Sequence, residues 1–235
     1  MSSLRVWSII VILCQTLISL IMTWWTLDCR FTPNSYELQE VTLIKLLYLY
    51  DPEACGKLYF YNITLKVNNE RRYRVIWPVK NNVASKFRNK VRLWFCLHVA
   101  WLILGIANLT HGHRPCGFYA ALVPFTITGL TVMLVDLLYM GLFLKDVGVT
   151  NNEIAIMEYI NSESNNIKWI NKPHYEYTTL HDEDTSWIAL LFAYGSCRGI
   201  VQWFINFWIV KDNYFEGLND YHRHQKEMSR RTMKV

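Results

Sequence analysis

Residues 118–144 read FYAALVPFTITGLTVMLVDLLYMGLFL, and their only charged side chain is that of Asp136. A run this long and apolar is typical of a membrane span, because the hydrocarbon core of a bilayer takes about 20 apolar residues of helix to cross. Three further apolar runs flank it, at residues 6–27, 93–109 and 187–210. We therefore predict an all-α membrane protein that forms one four-helix transmembrane bundle.

Two large polar loops separate the spans, at residues 28–92 and 145–186, and a polar tail follows at residues 211–235. The basic tail favours a cytoplasmic C-terminal end, because basic residues near spans are enriched on that side. The basic run 80–92 opposes this orientation, but the rule weakens for loops as long as the first one. We predict that both loops are extracellular and the tail cytoplasmic. The alternative is the reversed orientation, with both loops in the cytoplasm. We also interpret residues 6–27 as a membrane span that is not cleaved.

The first loop has the features of a folded extracellular segment. Cys29 and Cys55 are its two cysteines, and on the outer side they would form a disulfide rather than remain free thiols. Apolar and polar residues alternate over residues 59–67 and again over 72–79, which predicts a small β-hairpin with one apolar face. Asn62 begins an Asn-Ile-Thr sequon on the polar face, so we expect glycosylation there.

Asp136 and Arg198 are the acidic and basic residues that lie well inside the predicted spans. Each would be costly in hydrocarbon without a partner, and their depths from the outer ends are similar, so we predict an intramembrane ion pair. Arg198, Gln202 and Asn206 recur at steps of four and should share one polar face of span four. The pair would act as a structural clamp. A proton or ion relay is the alternative, and only His98 could extend it.

The sequence contains no motif of a known enzyme class, and we predict a protein without catalytic activity or cofactor. The connector 110–117 holds His111, His113 and Cys116, but these are three ligands at most, without a companion cluster, so we predict no metal site. The net charge of +5 is dispersed over 235 residues, which argues against nucleic-acid binding.

The layout as a whole resembles the claudin-like tetraspan junction proteins, including those of invertebrate septate junctions. The similarity is in the large first loop with its cysteine pair, the tight connector 110–117, the second outer loop and the basic tail, while the family's Gly-Leu-Trp motif is absent. It implies a cell-junction or adhesion protein of the plasma membrane that acts through its outer loops and assembles with other membrane proteins. An auxiliary subunit of a transporter or channel, or an oligomeric channel, is the alternative. The ending Met233, Lys234 and Val235 resembles a PDZ ligand, the alternative being a solvated tail near membrane lipid.

Overall fold

Helices make up almost all of the described structure, which is a computed structural model. Four helical stretches are long and apolar enough to cross a bilayer, so we treat the chain as a multi-pass membrane protein. They are Val6–Leu27, Asn82–His111, Phe118–Val149 and Ser186–Thr232. The structure describes residues 3–30, 45–56, 63–67, 71–76, 81–111, 117–151, 155–156, 159–160, 162, 168–169 and 186–233.

The secondary-structure elements are numbered here in chain order. The α-helices are α1 (Ser3–Leu27), α2 (Pro52–Cys55), α3 (Asn82–His111), α4 (Val123–Asp146), α5 (Ser186–Ser196) and α6 (Ile200–Thr232). The π-helical turns Lys45–Leu49 and Phe118–Leu122 precede α2 and α4, and a 3₁₀ turn, Val147–Val149, follows α4. The strands are β1 (Ile63–Val67), β2 (Arg71–Ile76) and β3 (Lys168–Trp169).

Many large apolar side chains on the long helices face outward. Ile18 is 63% exposed, Leu138 is 66% exposed and Val201 is 74% exposed. In water such surfaces would promote aggregation, whereas hydrocarbon solvates them at no cost. This distribution is therefore what lipid-facing helices require.

The chain divides into two compact units, and the first contains residues 1–23, 93–141 and 194–235. Its apolar core draws side chains from all four membrane-spanning stretches: Ile12, Trp101, Phe125, Val132 and Val210. Gly129 permits the close approach of α4 to α3, since a Cβ atom there would lie 2.9 Å from Nε1 of Trp101. This unit is a four-helix bundle.

The second unit contains residues 24–92 and 142–193, so it includes both large loops. Backbone pairing joins three antiparallel strands in the order β1-β2-β3. Ile63 pairs with Val75 between β1 and β2, and Val75 pairs with Trp169 between β2 and β3. Because β3 comes from the second loop, the sheet ties the two loops together.

An aromatic cluster forms the core of the second unit. Tyr48, Phe87, Phe143 and Phe192 pack with ring centroids 5.3–6.1 Å apart. The Tyr48 hydroxyl donates to the Asp146 carboxylate at 3.0 Å. Burial, followed by the negative charge of Asp146, raises the pKa of Tyr48, so its phenol is neutral and can donate.

The basic run 80–92, which the sequence placed in the first loop, is largely part of a helix. Asn81 caps α3 by accepting a hydrogen bond from the Ala84 amide at 3.2 Å, so the helix begins at Asn82 rather than at residue 93. The segment is amphipathic, because Val83 and Phe87 are buried in the core of the second unit. At the other end of the chain, α6 continues through the predicted tail to Thr232.

Candidate functional site

The fourth membrane-spanning stretch is broken, although the sequence suggested one continuous span from 187 to 210. The Gly199 amide donates to the Tyr194 carbonyl at 3.1 Å, and the Arg198 amide donates to the Gly195 carbonyl at 3.0 Å. This pair of bonds is the Schellman motif that ends many helices. It terminates α5 and lets α6 begin at Ile200.

Arg198 occupies the position of this motif that usually holds glycine. Its φ angle is +55°, in the left-handed region, where a side chain costs roughly 1 kcal/mol or more. Gly199 follows with a φ of +87°, and a Cβ atom there would lie 2.8 Å from the Tyr194 hydroxyl. The chain therefore keeps an arginine in an unfavourable conformation within a membrane-spanning stretch, and its contacts must compensate.

Those contacts form a group that we call the polar cluster: Trp94, His98, Asp136 and Arg198. Arg198 Nη2 lies 3.2 Å from Asp136 Oδ2 and 2.6 Å from His98 Nε2. The side chains of Asp136 and Arg198 are only 3% and 12% exposed. The charges that the sequence placed inside the membrane are thus in contact, and their sum is zero.

Both oxygens of the Asp136 carboxylate accept hydrogen bonds. Trp94 Nε1 donates to Oδ1 at 2.5 Å, while Arg198 donates to Oδ2. The indole of Trp94 also lies beside the guanidinium, with the Arg198 Cζ atom 5.8 Å from the ring centroid. A second indole, that of Trp101, lies at the same distance. Aromatic faces near a desolvated cation are favourable, so the two tryptophans partly replace its hydration.

The hydrogen bonds fix the protonation state of His98. Its Nδ1 lies 2.8 Å from the Trp94 carbonyl oxygen, which can only accept, so Nδ1 carries a proton. Its Nε2 faces an arginine nitrogen, which can only donate, so Nε2 carries none. His98 is therefore the neutral imidazole with its proton on Nδ1.

Two further contacts attach the break to α4. The Cys197 thiol lies 3.5 Å from the Asp136 carbonyl oxygen, and Trp203 Nε1 donates to the Met133 carbonyl at 3.0 Å. Both acceptors are backbone carbonyl oxygens of α4. A carbonyl oxygen has two lone pairs, so it can accept a side-chain donor and keep its hydrogen bond within the helix. Side chains on both sides of the break thus contact the same stretch of α4.

The hydrogen-bonding atoms of His98 and Asp136 are all occupied in the polar cluster. Both nitrogens of His98 and both oxygens of Asp136 already have partners within it or in the adjacent backbone. Among the described residues, no group of three histidine, cysteine or acidic side chains could hold a metal ion.

The structure differs from the predicted polar face of span four. Gln202 Nε2 donates to Asn206 Oδ1 at 3.2 Å, so these two residues do share a face. Arg198 lies in the break before α6 and is not on that helical face, because the Schellman motif redirects the chain. Trp94 and Cys197 were not predicted as members of the site. The position of Trp94 four residues before His98 was the signal for it in the sequence.

In the second unit, the predicted disulfide between Cys29 and Cys55 is present. Arg88 adjoins it: its Nη2 donates to the Leu27 carbonyl at 2.7 Å, and its Nη1 lies 3.4 Å from the Cys55 sulfur. Leu27 is the last residue of α1, so Arg88 satisfies a carbonyl that the helix end leaves free. The end of α1, the disulfide and α3 are thereby joined.

Several predicted site residues lie outside the described part of the chain. They are the sequon residue Asn62 and Lys234 and Val235 of the terminal motif; His113 and Cys116 of the connector, where no metal site is predicted, also lie outside it. Met233 is described and is 83% exposed. Comparison of the chain with protein-family models, curated proteins and solved structures gave no match.

Proposed function

We propose that this chain is a non-enzymatic membrane protein of cell contacts, in which the second unit is the extracellular surface that meets a partner. The observation that carries the proposal is the joining of both large loops into one unit, in which β3 pairs with β2 and Ile156 of the second loop shares a buried core with Leu47 of the first. Loops that only connect spans need no common core. A shared core gives the two loops a fixed shape, which recognition of a partner requires.

The disulfide supports an outer location for this unit. Disulfides persist in oxidising compartments and are rare in the cytosol. A Cys29–Cys55 bond therefore favours the orientation with both loops outside and α6 ending in the cytoplasm. In the same orientation the expected hairpin, including β1 and β2, and the sequon at Asn62 would be extracellular.

The polar cluster supports a scaffold role. Its charges cancel, and its hydrogen bonds are made between helices that are far apart in sequence. Such a cluster fixes the register of the helices within the first unit. The resemblance in layout to tetraspan junction proteins agrees with this role.

A second candidate function is an auxiliary subunit of a transporter or channel, or a channel formed by several copies. The broken fourth span favours it, because interrupted helices and buried ionisable residues mark ion and substrate sites in many transporters. In that case Arg198→Met should change the conductance or uptake of a cell that retains the protein at its surface.

Imaging in a polarised epithelium tests the first proposal. In a mosaic culture we expect enrichment at borders between two expressing cells and loss of that enrichment in Cys29→Ser/Cys55→Ser. The matched control is Cys14→Ser/Cys96→Ser, since both thiols are free and exposed. Surface biotinylation separates loss of contact from loss of transport to the surface. An even surface distribution of the wild-type protein, with no border enrichment, would refute the proposal.

A further inference from the structure

A groove of about 610 Å³ runs between α1 and α6 within the first unit. Trp7 and Val11 line it on α1, and Val201, Phe204 and Trp208 line it on α6. The α6 wall extends from Val201 to Glu216, which is about 22 Å of helix at 1.5 Å per residue. One leaflet of a bilayer has about 15 Å of hydrocarbon, so the groove is long enough for a lipid chain and part of its headgroup.

One end of this α1–α6 groove is rich in hydrogen-bond acceptors. Asp212, Asn213 and Glu216 line that end together with Ser8. Asn213 is 2% exposed, and its Nδ2 donates to the Ile209 carbonyl at 2.9 Å and to the Ser8 hydroxyl at 3.0 Å. Because a carbonyl only accepts, this contact fixes the orientation of the amide.

The Asn213 Oδ1 atom is left without a donor among the described residues, although it is buried. A buried acceptor without a donor costs about 1–3 kcal/mol, so a site of this kind favours a ligand that brings an N–H group. The two neighbouring carboxylates favour a cation. A primary ammonium group is a cation that carries N–H donors, so it matches this acceptor-rich end of the groove.

A cation also lies at this end. Lys211 Nζ lies over the Trp208 ring, 4.8 Å from its centroid, and 3.6 Å from Asp212 Oδ1. Trp208 is a wall of the groove, so the lysine is held beside it and could contact a phosphate there. The end of the groove thus offers acceptors for an ammonium and a donor for a phosphate.

We propose that the α1–α6 groove binds a phospholipid with an ethanolamine headgroup, its chain lying along α6. The ammonium contacts Asp212 and Glu216, and the phosphate contacts Lys211. A choline headgroup fits less well because its trimethylammonium has no N–H to donate. An anionic lipid without an amine fits less well because the two carboxylates repel it.

Native mass spectrometry of the full chain, purified in mild detergent, tests this. With equimolar ethanolamine and choline phospholipids of the same chains, we expect ethanolamine adducts to exceed choline adducts about tenfold, a ratio that one hydrogen bond to a charged group can supply. The isosteric variant Asp212→Asn/Glu216→Gln should reduce the ratio to near one. The control is Glu227→Gln, an exposed acid further along α6.

Equal binding of the two lipids by the wild-type chain would overturn the proposal. So would an unchanged ratio in Asp212→Asn/Glu216→Gln. A dimer that carries no lipid would also overturn it, since a second copy would then occupy the groove. The two carboxylates are at the surface end of the groove, so their amide variants should fold. Circular dichroism of each variant checks this directly.

Discussion

Replacement of Asp136 by asparagine should destabilise the four-helix unit strongly, although the two side chains have the same shape. The carboxylate accepts from Trp94 on Oδ1 and from Arg198 on Oδ2. An asparagine amide has one acceptor oxygen, and its nitrogen can only donate. Whichever way the amide is turned, either Trp94 or Arg198 faces another donor.

The free-energy cost follows from the state of Arg198 after the change. Its Nε and Nη1 atoms already have no hydrogen-bond partner among the described residues, so the wild-type guanidinium depends on Asp136 for charge compensation and on His98 for one further acceptor. Breaking a buried ion pair by removal of one partner costs about 3–5 kcal/mol. For a chain of this size that corresponds to a fall of roughly 6 °C or more in the unfolding midpoint.

Cys197 provides a local assay for this change. Its thiol is buried beside the Asp136 carbonyl and becomes available to a thiol-reactive fluorophore only when α4 and the break separate. In a background with Cys14, Cys96 and Cys116 replaced by alanine, the fluorescence increase on heating reports this region alone. The control is Glu227→Gln, which should leave the midpoint unchanged.

The double variant Asp136→Leu/Arg198→Met distinguishes a clamp from a general packing effect. Removal of both charges leaves no unpaired ion, so the double variant should be more stable than either single variant. If Asp136→Asn unfolded at the wild-type temperature, or if the double variant lost as much stability as the two single variants together, the ion pair would not hold the bundle.

Two further predictions concern the disulfide and the helix contact. Replacement of Cys29 and Cys55 by serine should lower the stability of the second unit by about 3.5 kcal/mol, because the bond closes a loop with a sequence separation of 26; protease resistance of the loops in intact membranes measures this, and unchanged resistance would contradict it. Gly129→Ala should cost about 1–3 kcal/mol by pressing on Trp101, whereas Gly141→Ala, with nothing within 4 Å, should cost nothing. Thermal unfolding of the two alanine variants in parallel checks the difference, and equal unfolding midpoints would show that the space beside Gly129 accommodates a methyl group.

The long apolar runs were sufficient to predict four membrane-spanning helices, because a bilayer constrains length and composition so strongly. Charge alone also placed Asp136 opposite Arg198, since neither could remain unpaired in hydrocarbon. The Cys29–Cys55 disulfide followed from the location of two cysteines in one polar loop. In each case the surroundings of the residues, hydrocarbon or an oxidising compartment, allow few other structures.

Other features depended on packing that no periodicity reveals. The break in span four was missed because the side chain at the glycine position of the Schellman motif is that of Arg198, and only Gly199 gave a sign of it. The early start of α3 was missed because its polar first turns bury Val83 and Phe87 in the second unit rather than in lipid. The contribution of Trp94 was missed because an indole near a span end is ordinarily an interfacial anchor.

The most direct test of the proposed role is to determine on which side of the membrane the second unit lies. Two copies of an epitope tag, one inserted between residues 180 and 181 and the other appended after Val235, can be stained in separate cell lines before and after permeabilisation. We predict that the inserted tag is labelled on intact cells and that the appended tag is labelled only after permeabilisation. Labelling of the appended tag on intact cells, with the inserted tag protected, would contradict the extracellular placement of both loops and with it the proposed recognition at cell contacts.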